Sequence, residues 1–169
     1  FMFHEDRSSE LIGPCNIFYL EAPYYEILVD IDKMEVVGWF VNIVDWVKEA
    51  LTDLPMKSEV EIIQIARNYA EQYFPHFHEF PEWETEIAIF DESEIARSFG
   101  LDKKVIKYIV IFSPFVTNEI GTKIPVLTTG CAVDIDPYEG KVIGFLKRHM
   151  PMTLTNLIPT FSPEEAKTL

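Results

Sequence analysis

Two histidines alternate at His76 and His78, with Glu79 beside them. On a strand or an extended loop, alternate side chains point the same way, so such a pair can share a metal ion. A third ligand would come from Glu82 or Glu84, or from a distant His4 or His149. A lone His-x-His falls short of a metal signature, and an exposed loop just after a helix is the plainer reading. The expectation is no bound metal and no cofactor, with His76 and His78 as candidate ligands should that fail.

Carboxylates gather at Asp134, Asp136 and Glu139, and again at Asp30 and Asp32. Oxygen-rich turns can hold calcium, but neither stretch has the twelve-residue ligand spacing of a calcium loop. Strand alternation would put both aspartates of each group on a solvated face. Paired carboxylates for acid–base work need a cleft and separated pKa values, which spacing alone does not provide. No Gly-x-Ser-x-Gly elbow and no phosphate-binding loop occurs. The two cysteines, Cys15 and Cys131, lack metal-type spacing and allow one disulfide or two buried thiols. Trp39, Trp46 and Trp83 read as core residues. The chain is expected not to be an enzyme.

The 28 acidic residues against 14 Lys and Arg give a net charge of −14, with the basic residues scattered. Nucleic acids and anionic membrane surfaces, which need clustered cations, are therefore disfavoured as partners. The most apolar stretch, 36–47, is broken by Asn42 and Asp45 and is too short to span a bilayer. The chain begins at Phe1 with no basic start and apolar core, so the expectation is a processed leader or a piece of a longer protein.

Periodicity predicts the elements that must carry these residues. Tyr25 to Asp30 and Val36 to Phe40 flank a polar turn as a hairpin, and Asn16 to Leu20 adds a strand. Val41 to Asp53 reads as an amphipathic helix. Ser58 and Glu61 form a capping box that opens a helix running to about Phe74, with Ile62, Tyr69 and Tyr73 on its apolar stripe. Strands follow over 84–90 and 105–112, and a second hairpin joins 126–135 to 141–146 around Pro137 and Gly140.

A repeat runs through this pattern. Val-Asp-Ile-Asp at 29–32 recurs 104 residues on, at 133–136. Leu54-Pro55 matches Ile158-Pro159, and Ser58-x-x-Glu61 matches Ser162-x-x-Glu165, at the same interval. Val36-Val-Gly-Trp39 resembles Val142-Ile-Gly-Phe145, which implies a two-residue longer turn in the second copy. The expected division is a partial repeat over 1–40, a connecting helix over 41–56 and a full unit over 57–148. A linker and the start of a further repeat fill 149–169.

The capped helix Ser58-x-x-Glu61-x-x-x-x-Ala66, the strands after it, and the hairpin Val-Asp-x-Asp-x-x-x-Gly-x-Val-Ile-Gly-Phe over 133–145 resemble the PepSY domain. The tandem form is similar to PepSY-like repeats of bacterial cell-envelope and spore-associated proteins. The chain departs from the usual pattern with a long insertion over 91–104 and an added loop over 116–123. The resemblance implies an α+β, cystatin-like fold: one long helix on an antiparallel sheet of about four strands, partly duplicated with a period of about 104 residues. It also implies a secreted or envelope location, no catalytic residues, and a role in binding a protein, as in the propeptides of thermolysin-like proteases. Self-association in a surface or spore layer is the alternative. A third possibility is a small-molecule or metal carrier using the concave face of the sheet.

Overall fold

Ser58 starts the longest helix by local chemistry. Its hydroxyl accepts from the Glu61 amide at 3.3 Å, and the Glu61 carboxylate accepts from the Ser58 amide at 2.9 Å. Two of the free amides at a helix start are satisfied in this way. In the computed structural model, which describes residues 17–22 and 24–149, this helix (α2) spans Glu59–Tyr73. Around it lie strands β1 Ile17–Ala22, β2 Tyr25–Asp30 and β3 Glu35–Val41, and a short helix α1, Ile43–Glu49. After α2 come a 3-10 turn at Pro75–Glu79, β4 Glu82–Asp91, helix α3 Ser93–Ser98, β5 Ile106–Thr117, β6 Lys123–Pro125, β7 Thr129–Asp136 and β8 Lys141–His149. The expected features at Cys15, His4 and 150–169 lie outside the described residues.

The fold is α+β, with three helices among the described residues. The sheet is wider than the expected four strands. Seven strands run antiparallel in the order β1-β2-β3-β8-β7-β5-β4, and short β6 pairs with β5. The sequence suggested no pairing between the two hairpins, yet β3 and β8 join them. Trp39 lies opposite Phe145, Gly38 opposite Leu146 and Phe40 opposite Gly144. An apolar row therefore crosses one face of the whole sheet: Leu20, Ile27, Trp39, Phe145, Val133, Val110, Ile87.

Helix α2 lies over the β8-β7-β5-β4 half of that face. Its buried stripe is Ile62, Ala66 and Ala70, continued by Phe74, and it packs on Val110, Phe112, Cys131, Val133, Ile135 and Phe145. Alanines at the contact let the helix axis approach the sheet. Tyr69 is half-buried, and Tyr73, expected on the buried stripe, is exposed. On the opposite face, α1 and α3 form a smaller core of Trp46, Val47, Ala50, Ala96, Val105 and Ile143. Strand β5 buries alternate residues, so it is covered on one face and only half-covered at Ile109 and Ile111 on the other.

The two hairpins share one geometry. Asp30 pairs with Glu35 and Asp136 with Lys141; Val29 pairs with Val36 and Ile135 with Val142. Leu28 then pairs with Gly38 and Asp134 with Gly144, after a bulge at Val37 or Ile143. Corresponding residues are 106 apart (30 to 136, 38 to 144), so the turns have equal length. The Val-Asp-Ile-Asp match is thus out of structural register by two, and Asp30 is the counterpart of Asp136. Two like hairpins are what the structure shows; it shows no duplication of a whole unit.

Each turn has one residue in the left-handed region: Met34 at φ 53° and Gly140 at φ 72°. Glycine is free of the side-chain clash that makes this region costly. Lys57 also fills the space a side chain at Gly140 would occupy. Replacing exposed Met34 with Gly should therefore raise stability by about 0.5–1 kcal/mol, whereas Gly140→Ala should lower it by about 1–2 kcal/mol. Ile62→Ala, which opens a cavity under α2, should cost about 2–5 kcal/mol. Urea midpoints of the three variants against wild type check all three signs.

Candidate functional site

Helix α2 ends at Tyr73, and from Pro75 the chain tightens into the 3-10 turn carrying both candidate histidines. Phe77 anchors that turn. It is buried, stacks on Trp83 at 4.4 Å between ring centres, and its carbonyl accepts from the Trp83 indole at 3.0 Å. This corrects the expectation that His76 and His78 point the same way. With three residues per turn, positions three apart align, whereas positions two apart diverge. His76 therefore meets Glu79, with Nδ1 to Oε1 at 2.6 Å, while His78 is exposed at the side of the turn.

The third member comes from 70 residues further on. His149, the last residue of β8, stacks its ring on His76 at 3.5 Å and 8°. Its Nδ1 lies 3.2 Å from the buried Thr129 hydroxyl. One donor atom each from His76, Glu79 and His149 lies within 4.8 Å of the other two. Glu82 and Glu84 are on β4 and outside this group. Partial burial and the neighbouring His76 hold His149 below its usual pKa, opposed by Glu79; Lys33 also lowers it and Glu35 raises it. The spacing in sequence gave no local sign of His149, because strand pairing of β7 with β8 is what brings it to the turn.

Of the five carboxylates expected to be solvated, Asp32 and Glu139 are exposed and the other three are not. Asp30, Asp134 and Asp136 are all buried. Asp136 accepts from the Trp46 indole at 2.9 Å and from the Tyr138 and Glu139 amides at 2.8 and 3.3 Å. Asp30 accepts from the Lys33 amide at 3.1 Å in the equivalent turn. Each aspartate folds its own turn, so burial is compensated by hydrogen bonds. Asp134 instead pairs with Lys107 at 3.1 Å; burial pushes its pKa up and Lys107 opposes the shift. This pair helps line a cavity of about 200 Å³ with Glu26, Phe40, Val41, Ile43, Trp46 and Ile143. That is smaller than the roughly 300–1,000 Å³ of ordinary ligand pockets.

Cys131 is a free buried thiol on β7, and burial pushes its pKa up to about 12. A thiol so rarely ionised is a poor nucleophile. The other notable surface is apolar. On the face that α2 covers elsewhere, Leu20, Tyr25 and Val36 are 40%, 47% and 49% exposed. Their counterparts by strand pairing are Val110, Cys131 and Val142, which lie in or against the core under α2.

No protein-family model, curated protein or solved structure matches the chain. Among the described residues no helix is long and apolar enough to cross a membrane.

His149 should titrate below the 6.5 of an ordinary histidine. The unfolded chain then takes up this proton first. The contribution of neutral His149 is thus fully present above the ordinary value and is lost as pH falls below it. An imidazole NMR titration measures the midpoint, and His149→Asn should flatten the acid side of the stability curve. Cys131 should resist alkylation in the native state and react on unfolding; peptide mass spectrometry reads both.

Proposed function

We propose that this chain is a non-enzymatic, PepSY-like protein-binding module that acts outside the cytoplasm, with its partner seated on the open part of the sheet. The observation that carries this reading is the exposure of Leu20, Tyr25 and Val36. The matching positions in the other half of the sheet are covered by α2, an amphipathic helix with alanines at its contact. A helix of similar design is the occupant that this surface suits. The like hairpins lend support to a partly duplicated PepSY/cystatin-like unit, with the interval at 106 residues within the hairpins.

The resemblance supplies the kind of partner: a protease of the thermolysin type, held in an inhibitory or propeptide-like complex. The location outside the cytoplasm rests on the same resemblance. The net charge of −14 would steer a neutral or basic partner. Assembly with further copies is the second reading, because another repeat could supply the covering helix.

Inhibition of a purified thermolysin-type protease by the wild-type chain tests the proposal, with Tyr25→Asp and Val36→Asp alongside. Wild type should slow cleavage, and each variant should be at least about tenfold weaker, since a charge would be buried at the contact. Association should also slow as salt approaches ~1 M. Equal inhibition by all three proteins would reject the surface. No inhibition, with self-association in sedimentation that Val36→Asp abolishes, would favour assembly.

A further inference from the structure

We propose that His76, Glu79 and His149 form a binding site for one divalent transition-metal ion, of the zinc class. Two imidazoles and one carboxylate are the donor types that zinc accepts, and softer or purely oxygen-seeking ions suit the set less well. The three donor atoms lie within 4.8 Å of one another. A tetrahedral ion with bonds of about 2.1 Å wants its donors roughly 3.4 Å apart, so the cluster needs to close by roughly 1 Å. The parallel rings must also tilt, because an imidazole lone pair lies in the ring plane and the stacked rings present theirs side by side.

The surroundings favour that closure. Glu79 and His76 sit one 3-10 turn apart on a segment pinned by Phe77 and Trp83. Thr129 engages Nδ1 of His149, which fixes the ring and leaves Nε2 for an ion, the usual role of a group behind a metal ligand. An ion here would clamp the turn after α2 to the end of β8, and three protein ligands would leave one position for water or for a side chain of another molecule.

The test is zinc titration of the whole chain, read by competition with a chromophoric chelator and by imidazole NMR. One equivalent should bind, with the His76 and His149 ring signals shifting and the His78 signals unmoved. His149→Ala and His76→Ala should weaken binding at least about tenfold, Glu79→Gln less, and His78→Ala not at all. Saturating zinc should raise the thermal midpoint of the wild type by about 5 °C and leave that of His149→Ala unchanged. Failure of the His76 and His149 signals to move would overturn the site, and that readout needs no variant to fold. Equal affinity in His78→Ala, His76→Ala and His149→Ala, all weaker than wild type, would also overturn it. The protease assay above is independent of either outcome.

Discussion

The pairing of β3 with β8 holds the molecule together. Without it, β1–β3 would be a three-stranded piece with little core of its own, since Leu28 and Val37 are its buried apolar residues outside the shared clusters. Three cross-strand pairs make the seam, centred on Trp39 and Phe145. The glycines beside them make it sterically feasible. A side chain on Gly38 would strike the Phe145 carbonyl and Leu146, and one on Gly144 would strike the Phe40 ring. Each glycine thus leaves room for the large residue opposite. Because Gly38 and Gly144 hold equivalent places in the two hairpins, the seam relates the hairpins by an approximate two-fold axis. Lys147 and Glu35 pair across it, and the Trp39 indole donates to the Tyr69 hydroxyl at 3.2 Å, tying β3 to α2.

The other features follow from this junction. Extending the sheet past β8 carries the apolar face beyond the reach of α2, which leaves Leu20, Tyr25 and Val36 exposed. The pairing of β8 with β7, which continues past this junction, sets the end of β8, and hence His149, above the turn that follows α2. Lys33 in the first hairpin donates to the His149 carbonyl at 3.3 Å, so the cluster of His76, Glu79 and His149 is bordered by both hairpins. The open face and the His–Glu cluster are therefore separate consequences of one architecture.

Local signals were legible in the sequence and non-local ones were not. The capping box at Ser58 and Glu61, the two hairpins and the strands flanking 91–104 depend on neighbours within a few residues, and each appears where its pattern implies. Helix α1 is shorter than its period suggests because the backbone leaves the helical region at Ala50. The β3–β8 seam has no local signature, since residues more than a hundred positions apart meet there. The burial of Asp30 and Asp136 escaped strand alternation because both aspartates turn inward to bond their own turns. The likeness of the two hairpins was visible, but the four-residue match lay two residues out of structural register, and no duplication of a whole unit is shown. For the candidate site, period two suggested His76 with His78; a 3-10 turn has period three, and it joins His76 to Glu79.

The seam is tested most directly by cross-strand NOE contacts between the backbones of 38–40 and 144–146. The account predicts an antiparallel pattern with Trp39 opposite Phe145, Gly38 opposite Leu146 and Phe40 opposite Gly144. Absence of those contacts would contradict it. So would a register shifted by one residue, which would place Trp39 on the face away from Tyr69 and separate the two halves of the apolar row.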